Sequence, residues 1–218
     1  MEKYNHQLRE SWEKNAPAWT RSVREEKIES RNLVTNKAIL DSIVELNPNK
    51  VLDLGCGEGW MTRQLSPLGI EVTGVDYSAS LISEAKKSGE TFHQLSFEEF
   101  SANPELVGKN YDVIAYNFSL LSEDLLPILN ASKKVLKENG TIVIQTLHPF
   151  SSETYEDGWR VETFDQMGDD YEMSMPWYFR TVSSWYRTFK ESDLDLVDIF
   201  EPVHPEKKQP MSFIFVLK

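Results

Sequence analysis

Short apolar runs alternate along the chain with segments whose apolar residues recur at helical spacing. Such runs are typical of strands, and the intervening segments are typical of amphipathic helices. Four clear strands and a weaker one are predicted at residues 51–54, 72–75, 91–97, 111–116 and 141–147. Strands that alternate with helices in this way predict βαβ units and a parallel sheet covered on both faces. Right-handed crossovers then favour a doubly wound, Rossmann-like α/β fold.

The polar N-terminal region also carries a helical pattern. Tyr4, Leu8 and Trp12 recur every four residues and predict a helix, and a second helix is predicted over residues 32–46. Leucines spaced along residues 121–136 predict one long helix before the fifth strand, ended by the Asn-Gly pair that follows. The N-terminal helices therefore precede the first strand of the sheet.

The regular alternation ends after the fifth strand. Residues 148–186 are rich in Trp, Tyr and Phe, which makes them too aromatic for a solvated linker, and two closing strands are predicted at 196–200 and 213–217. We therefore expect one domain of 218 residues. Its predicted parts are an N-terminal helical cap at 1–46, a cofactor-binding core at 47–147, a substrate or lid insertion at 148–190, and closing strands at 191–218.

Composition narrows the classes of partner. Lys and Arg total 23 against 35 Asp and Glu, and the net charge of −12 disfavours nucleic acid as a partner. No apolar run is long enough to span a membrane. The first residues are polar and there is one cysteine, so we expect a reducing, cytoplasmic environment. No His, Asp or Glu cluster has metal-ligand spacing. A small molecule is the expected substrate class, and the oligomeric state cannot be inferred.

The first strand runs into a glycine-rich turn. Asp53, Gly55, Gly57 and Gly59 follow one another between a strand and a helix, where glycines let the backbone turn tightly and approach a ligand. Asp76 ends the next strand, 21 residues after Gly55. An acid at that position can accept hydrogen bonds from both hydroxyls of a ribose. The pattern therefore predicts a nucleotide-type ligand.

Two ligands fit such a turn, a dinucleotide and S-adenosylmethionine. Dinucleotide loops follow G-x-G-x-x-G and hold a pyrophosphate at the helix N-terminus. Here the third glycine comes one position early, and Trp60 stands where a dinucleotide loop has Gly or Ala. The negative charge of Asp53 also disfavours a pyrophosphate and suits a ligand with a sulfonium and an ammonium group. These features favour S-adenosylmethionine.

The motifs resemble those of the class I S-adenosylmethionine-dependent methyltransferases. Residues 51–59 (VLDLGCGEG) look like the first motif of that family, and residues 74–78 (GVDYS) are similar to the second. Residues 112–117 (DVIAYN) resemble the motif of the fourth strand, and residues 135–140 (VLKENG) resemble the turn before the fifth. The family's plan implies a seven-stranded sheet, mostly parallel with an antiparallel closing strand.

The resemblance implies roles for individual residues. The glycine backbone would lie along the methionine part of the cofactor, with Asp53 near its ammonium, Asp76 on the ribose and Tyr77 against the adenine. The family's usual acid near the adenine amino group is missing, and Ser96 and Phe97 are expected to replace it. The implied cofactor-binding residues are Asp53, Gly55, Cys56, Gly57, Asp76, Tyr77, Ser96, Phe97, Asn117, Phe118 and Trp19.

Candidate residues for the acceptor side come from the end of the fifth strand and from the insertion. His148 directly follows that strand, where doubly wound folds place their sites, and is the candidate general base. Trp177, Tyr178 and Arg180 are expected to form an aromatic wall with a cationic donor. Both assignments have a structural alternative. His148 could form a hydrogen bond only with a loop, and the insertion could pack on the sheet without contacting a ligand.

The function predicted from the sequence is methyl transfer from S-adenosylmethionine to a small-molecule acceptor. Two alternatives stay open at this point. One is a catalytically silent protein that binds S-adenosylmethionine as a sensor or scaffold. The other is an NAD(P)-dependent oxidoreductase, which Trp60 disfavours.

Overall fold

The computed structural model describes residues 2–152, 154–165, 167–168 and 170–218. Seven strands form one sheet: β1 (Lys50–Leu54), β2 (Glu71–Asp76), β3 (Thr91–Gln94), β4 (Tyr111–Asn117), β5 (Leu136–Leu147), β8 (Leu196–Phe200) and β9 (Ser212–Leu217). Their order in the sheet is β3-β2-β1-β4-β5-β9-β8. The pairs among the first five strands are parallel, and β9 runs antiparallel to both of its neighbours. The predicted fold class is confirmed.

Helices cover both faces of this sheet. They are α1 (Glu2–Arg24), α2 (Asn36–Val44), α3 (Trp60–Leu65), α4 (Ala79–Ala85), α5 (Phe97–Ala102), α6 (Leu126–Val135) and α7 (Val182–Glu191). A π-helical turn, Arg31–Thr35, leads into α2. Side chains alternate between the two faces along each strand, so Ile142 and Ile144 of β5 belong to one core cluster and Val143 to the other. Both clusters are apolar, as a parallel sheet buried on two sides requires.

The prediction of one long helix over residues 121–136 is wrong. The helix begins only at Leu126, where the side chain of Asp124 accepts a hydrogen bond from the backbone N–H at 3.1 Å and Pro127 occupies the first turn. Residues 118–125 form a loop instead. Leu125 is nevertheless buried in the core, and Leu121 packs against the apolar cluster of Leu8, Phe164 and Met175. The helical spacing of these two leucines therefore reflects packing of a loop rather than one face of a helix.

The aromatic insertion forms a two-stranded antiparallel hairpin of β6 (Gly158–Glu162) and β7 (Met175–Phe179). This hairpin packs against α1, and the fully buried Asn15 of α1 joins the two. Its Nδ2 donates to the carbonyl of Met173 at 2.6 Å, and its Oδ1 accepts from the N–H of Glu172 at 2.9 Å. Because the amide pairs with the backbone in both directions, α1 and the insertion form one cover over the end of the sheet.

Candidate active site

A cavity of about 430 Å³ lies at the carboxyl ends of the parallel strands, under α1 and the insertion. Its volume falls in the range of small-molecule sites. Eleven residues singled out from the sequence line it: Trp19, Gly55, Gly57, Asp76, Tyr77, Ser96, Phe97, Asn117, Phe118, Trp177 and Tyr178. The structure therefore brings residues from six separate segments of the chain to one cavity, as expected at this edge of a doubly wound sheet.

The glycine turn after β1 is tied to β2. The N–H groups of Gly55 and Cys56 both donate to the carbonyl of Val75, at 2.7 Å and 3.0 Å. Gly55 has a φ of +81°, and a Cβ built on it would lie 2.2 Å from the Cβ of Ser119. Both the left-handed conformation and the close approach of the next loop require glycine at this position.

Asp76 at the end of β2 faces this turn. Its Oδ2 accepts a hydrogen bond from the N–H of Gly57 at 2.9 Å, and its Oδ1 accepts from the N–H of Ser78 at 2.9 Å. Burial raises the pKa of Asp76, and the backbone hydrogen bonds partly counter that rise. Each carboxylate oxygen can accept a further hydrogen bond, so the group can hold two neighbouring hydroxyls of a ligand while its position is fixed.

Asp53 and Cys56 line a smaller pocket of about 50 Å³, which shares Trp19, Gly55, Gly57 and Asn117 as wall residues with the main cavity. Asp53 is 2% exposed. Burial, with the nearby carboxylate of Asp76, raises the pKa of Asp53 to about 7, although Arg31 opposes the shift. A positively charged ligand beside Asp53 and Asp76 would therefore favour the ionised form of Asp53, and the resulting carboxylate would attract the ligand.

Arg31 is a site residue that sequence reasoning missed. It begins the π-helical turn before α2, and its guanidinium lies 5.0 Å from the ring centre of Trp60 and 5.6 Å from that of Trp19. Burial lowers the pKa of Arg31 to about 10, which leaves the group positively charged at neutral pH. It lines both the cavity and the small pocket. The sequence signal that could have indicated Arg31 is a basic residue directly before the helix that apolar periodicity predicts over residues 32–46.

Asn117 at the end of β4 offers an unused acceptor. Among the described residues, its Oδ1 has no hydrogen-bond partner although the atom is buried, and the residue lines both pockets. The next residue, Phe118, has a φ of +56°, and its N–H donates to the carbonyl of Gln145 at 2.8 Å. A buried carbonyl oxygen without a partner is costly, which fits a site completed by a donor group on a ligand.

α1 is fastened to the rim of the cavity by polar contacts. Glu13 accepts a hydrogen bond from the hydroxyl of Ser78 at 2.6 Å, next to Asp76. Nearer its end, Arg24 donates to the buried carboxylate of Glu58 at 3.0 Å. Between these ties, the indole of Trp12 meets that of Trp19 edge to face, with 5.1 Å between ring centres. The helix therefore presents its indoles to the cavity from a fixed position.

His148 does not line either pocket, so its expected role as general base is not supported. The residue is 5% exposed, and its Nε2 lies 2.9 Å from a carboxylate oxygen of Glu201. Its Nδ1 accepts from the N–H of Phe150 at 3.2 Å, and the ring packs on Phe213. Nε2 thus joins the end of β5 to Glu201 in the segment after β8, and Nδ1 holds the turn that begins at His148 itself.

Arg180 is also directed away from the cavity, against the expectation of a substrate contact. It is 4% exposed, and one Nη donates to the carbonyls of Ser122 and Glu123 at 2.6 Å and 2.5 Å. Its guanidinium lies against the rings of Tyr178 and Trp185. Arg180 therefore holds the loop after β4, the other side of which forms a wall of the cavity.

This geometry has a counterpart among known proteins. A family model described as a methyltransferase domain matches residues 6–199. The chain belongs to the class I S-adenosylmethionine-dependent methyltransferases. This membership removes the oxidoreductase alternative.

Curated relatives of the chain are named as methyltransferases of ubiquinone biosynthesis and of demethylmenaquinone. The chain is 29% identical over 161 residues to a ubiquinone biosynthesis O-methyltransferase of Pelagibacter ubique, covering 68% of this chain and 64% of the relative. It is 32% identical over 120 residues to a demethylmenaquinone methyltransferase of Thermotoga maritima, covering 52% and 50%. The chain thus spans between about half and two thirds of the length of these relatives.

Solved structures share the fold of this chain. An S-adenosylmethionine-dependent methyltransferase from Clostridium acetobutylicum aligns with a TM-score of 0.64 at 18% identity, covering 91% of this chain and 95% of the other. The DhpI–SAH complex aligns with a TM-score of 0.63 at 17% identity, covering 98% and 97%. None of the helices in the described part of the chain is long and apolar enough to cross a membrane.

The residues of this chain fit the family's cofactor, S-adenosylmethionine. The buried Oδ1 of Asn117 can accept a hydrogen bond from a donor group of the cofactor. The carboxylates of Asp53 and Asp76 can bind a positively charged group. Gly57 has a φ of +55°, and a Cβ built on it would be in van der Waals contact with the indole nitrogen of Trp19 at 3.7 Å, so the indole lies directly beside the turn. Over the described residues, His, Cys, Asp and Glu side chains do not gather into a group able to hold a metal ion.

Proposed function

We propose that the chain transfers a methyl group from S-adenosylmethionine to a small-molecule acceptor. The observation that carries the proposal is one continuous cavity, with Asp76, Asn117 and the glycine turn in one part and an apolar chamber under the insertion in another. A cofactor and an acceptor can therefore be held side by side, away from bulk water. The curated relatives are named as methyltransferases of quinone pathways, which supports a small-molecule acceptor.

In this proposal the cofactor is bound by complementary charge and hydrogen bonding. Asp76 holds the two ribose hydroxyls, and Tyr77, Ser96 and Phe97 receive the adenine. Asn117 and Asp53 accept from the ammonium group. Arg31, which lies near Asp53 and remains protonated at neutral pH, pairs with the carboxylate of the methionine part.

Bound S-adenosylmethionine supplies a methyl group on a positively charged sulfur, which leaves as a neutral thioether when a nucleophile attacks in line. The chain's contribution is to align the acceptor with that methyl group and to exclude water. α1 and the insertion cover the cavity, and the tie between Asn15 and residues 172–173 keeps the cover in one piece. As the methyl group is transferred, the proton of the acceptor's O–H or N–H group is released to solvent water. The step therefore requires no general base from the chain, which agrees with the placement of His148 outside both pockets.

The competing proposal is a protein that binds S-adenosylmethionine without turnover. The two are separated by incubating the chain with S-adenosylmethionine carrying a CD3 group and a panel of phenols, amines and thiols, followed by mass spectrometry. We expect one or more acceptors to gain the CD3 group, with equimolar S-adenosylhomocysteine, and the Asp76→Ala variant to lose both. Cofactor binding without transfer to any member of the panel would support the sensor.

A further inference from the structure

The insertion, α1 and the loop after β4 enclose a distinct part of the cavity, which we call the acceptor chamber. Its walls are Leu8, Trp12, Leu121, Phe164, Met175 and Trp177. We propose that this chamber binds an uncharged, flat and largely apolar acceptor that carries a hydroxyl or amine hydrogen. This inference rests on the proposed function, since it names the substrate class of the same cavity.

The chamber walls form one apolar cluster drawn from three separate elements. Phe164 and Met175 of the insertion are buried with Leu8 of α1, and Trp12 and Trp177 pack against them. Indole rings present large flat surfaces, while the thioether of a methionine adapts to the outline of a ligand. Such walls stabilise a ring system by removing its apolar surface from water, and they offer little to an elongated polar molecule.

Charged side chains around the cavity are already engaged away from the chamber. Arg9 and Glu98 pair with each other at 3.0 Å, and both are substantially exposed at the rim. Glu162 is exposed and accepts a hydrogen bond from the N–H of Phe164. Arg31 also lines the cavity, but it is assigned to the carboxylate of the cofactor. An acceptor carboxylate or phosphate placed between the indoles would therefore lose its hydration without gaining a counter-charge from the chamber walls. The overall negative charge of the chain adds to this exclusion of anions.

A cationic acceptor is disfavoured for the same reason as an anionic one. Aromatic walls can bind cations, but a cation in this chamber would lose its hydration without a carboxylate among the chamber walls to offset the loss. The acids that could offset it, Asp53 and Asp76, belong to the cofactor part of the site. An uncharged acceptor is the class that meets no electrostatic penalty.

The polar groups of the chamber are few and uncharged. Asn5 of α1 lines the cavity, and its Oδ1 is buried without a hydrogen-bond partner among the described residues. Tyr178 of β7 also lines it. An oxygen that lacks a donor favours an acceptor that brings an O–H or N–H group, because that bond removes the cost of the unpaired atom.

The test measures binding of three matched probes to the full chain saturated with S-adenosylhomocysteine. The probes are 2-naphthol, 6-hydroxy-2-naphthoate and the 6-hydroxy-2-naphthyltrimethylammonium cation, each of which carries a hydroxyl group and is followed by its fluorescence. We expect 2-naphthol to bind at least about tenfold more tightly than either charged probe. Equal or tighter binding of a charged probe, or no binding of 2-naphthol, would overturn the proposal.

Two variants of Trp177 test whether the probe binds in the acceptor chamber. We expect Trp177→Ala to weaken 2-naphthol at least about tenfold, Trp177→Phe to weaken it much less, and both to keep the affinity for S-adenosylhomocysteine. Tyr186→Ala, which removes an exposed aromatic ring outside the cavity, is the matched control and should change nothing. An unchanged 2-naphthol affinity in Trp177→Ala would contradict the assignment of the chamber.

The proposed function can fail separately from this inference. If S-adenosylhomocysteine does not bind, the proposed function is wrong, and the same probes are then titrated into the ligand-free chain. Preference for 2-naphthol that depends on Trp177 would still support the chamber, whereas its loss would overturn it.

Discussion

Replacing Gly55 by alanine should damage both stability and cofactor binding. The residue has a φ of +81°, and the added methyl group would lie 2.2 Å from the Cβ and 2.9 Å from the Oγ of Ser119. The hydroxyl of Ser119 donates to the carbonyl of Leu54 at 2.6 Å, so this neighbour cannot move without losing a hydrogen bond. The strain therefore falls on the turn that faces the cavity.

The magnitude follows from two separable effects. A left-handed conformation costs a residue with a Cβ about 1–2 kcal/mol, and overpacking costs about 1–3 kcal/mol more. Gly69→Ala is the matched control, because Gly69 has a φ of +83° and nothing within 4 Å of a built Cβ. We expect Gly69→Ala to lower the free energy of unfolding by about 1–2 kcal/mol and Gly55→Ala by about 2–5 kcal/mol.

Urea unfolding of the two variants measures the difference, and titration with S-adenosylmethionine measures its effect on the site. Gly55→Ala should weaken cofactor binding, and Gly69→Ala should leave it unchanged. Equal destabilisation by the two substitutions would refute the reasoning, since it would show that the approach of Ser119 carries no cost.

Four further predictions concern three buried ionisable residues. Because the pKa of Asp53 is raised to about 7, its carboxyl group is largely protonated below that pH. The affinity for the cationic cofactor, measured by calorimetry, should therefore fall as pH drops from 7.5 to 5.5. The affinity of Asp53→Asn should depend less on pH. In the ligand-free chain the same shift should make stability decrease as pH rises from about 4 to 7, a trend that urea unfolding would detect and Asp53→Asn should lack. His148→Gln should change kcat by less than about threefold in steady-state assays, whereas loss of a general base costs about 100-fold or more. Arg180→Met should lower unfolding stability by about 3 kcal/mol, because the carbonyls of Ser122 and Glu123 lose a charged donor; an unchanged urea midpoint would contradict that role.

The sheet and the cofactor turn were predictable because their signals are local. The apolar runs of β1, β2, β4 and β5 and the glycines between β1 and α3 specify strand, turn and helix within a few residues of sequence. The loop at residues 118–125 was not predictable, because its leucines are packed by tertiary contacts while their spacing in the sequence is that of a helix.

Side-chain direction was the part of the site that sequence could not fix. His148 follows β5 as predicted, yet its orientation depends on Glu201, which is 53 residues away in the chain. Arg180 is turned by the carbonyls of the loop after β4. Arg31 acquires its place only when Trp19 and Trp60 converge on it from two other elements. Each outcome depends on long-range contacts that local periodicity does not encode.

The most direct test of the account is calorimetric titration of the chain with S-adenosylmethionine, with Asp76→Asn beside wild type. Asp195→Asn, at an exposed position, is the matched control. We predict that wild type and the control bind with equal affinity, and that Asp76→Asn binds about 10- to 100-fold more weakly through loss of charged hydrogen bonds to the ribose. Failure of the wild-type chain to bind, or full affinity in Asp76→Asn, would contradict the account.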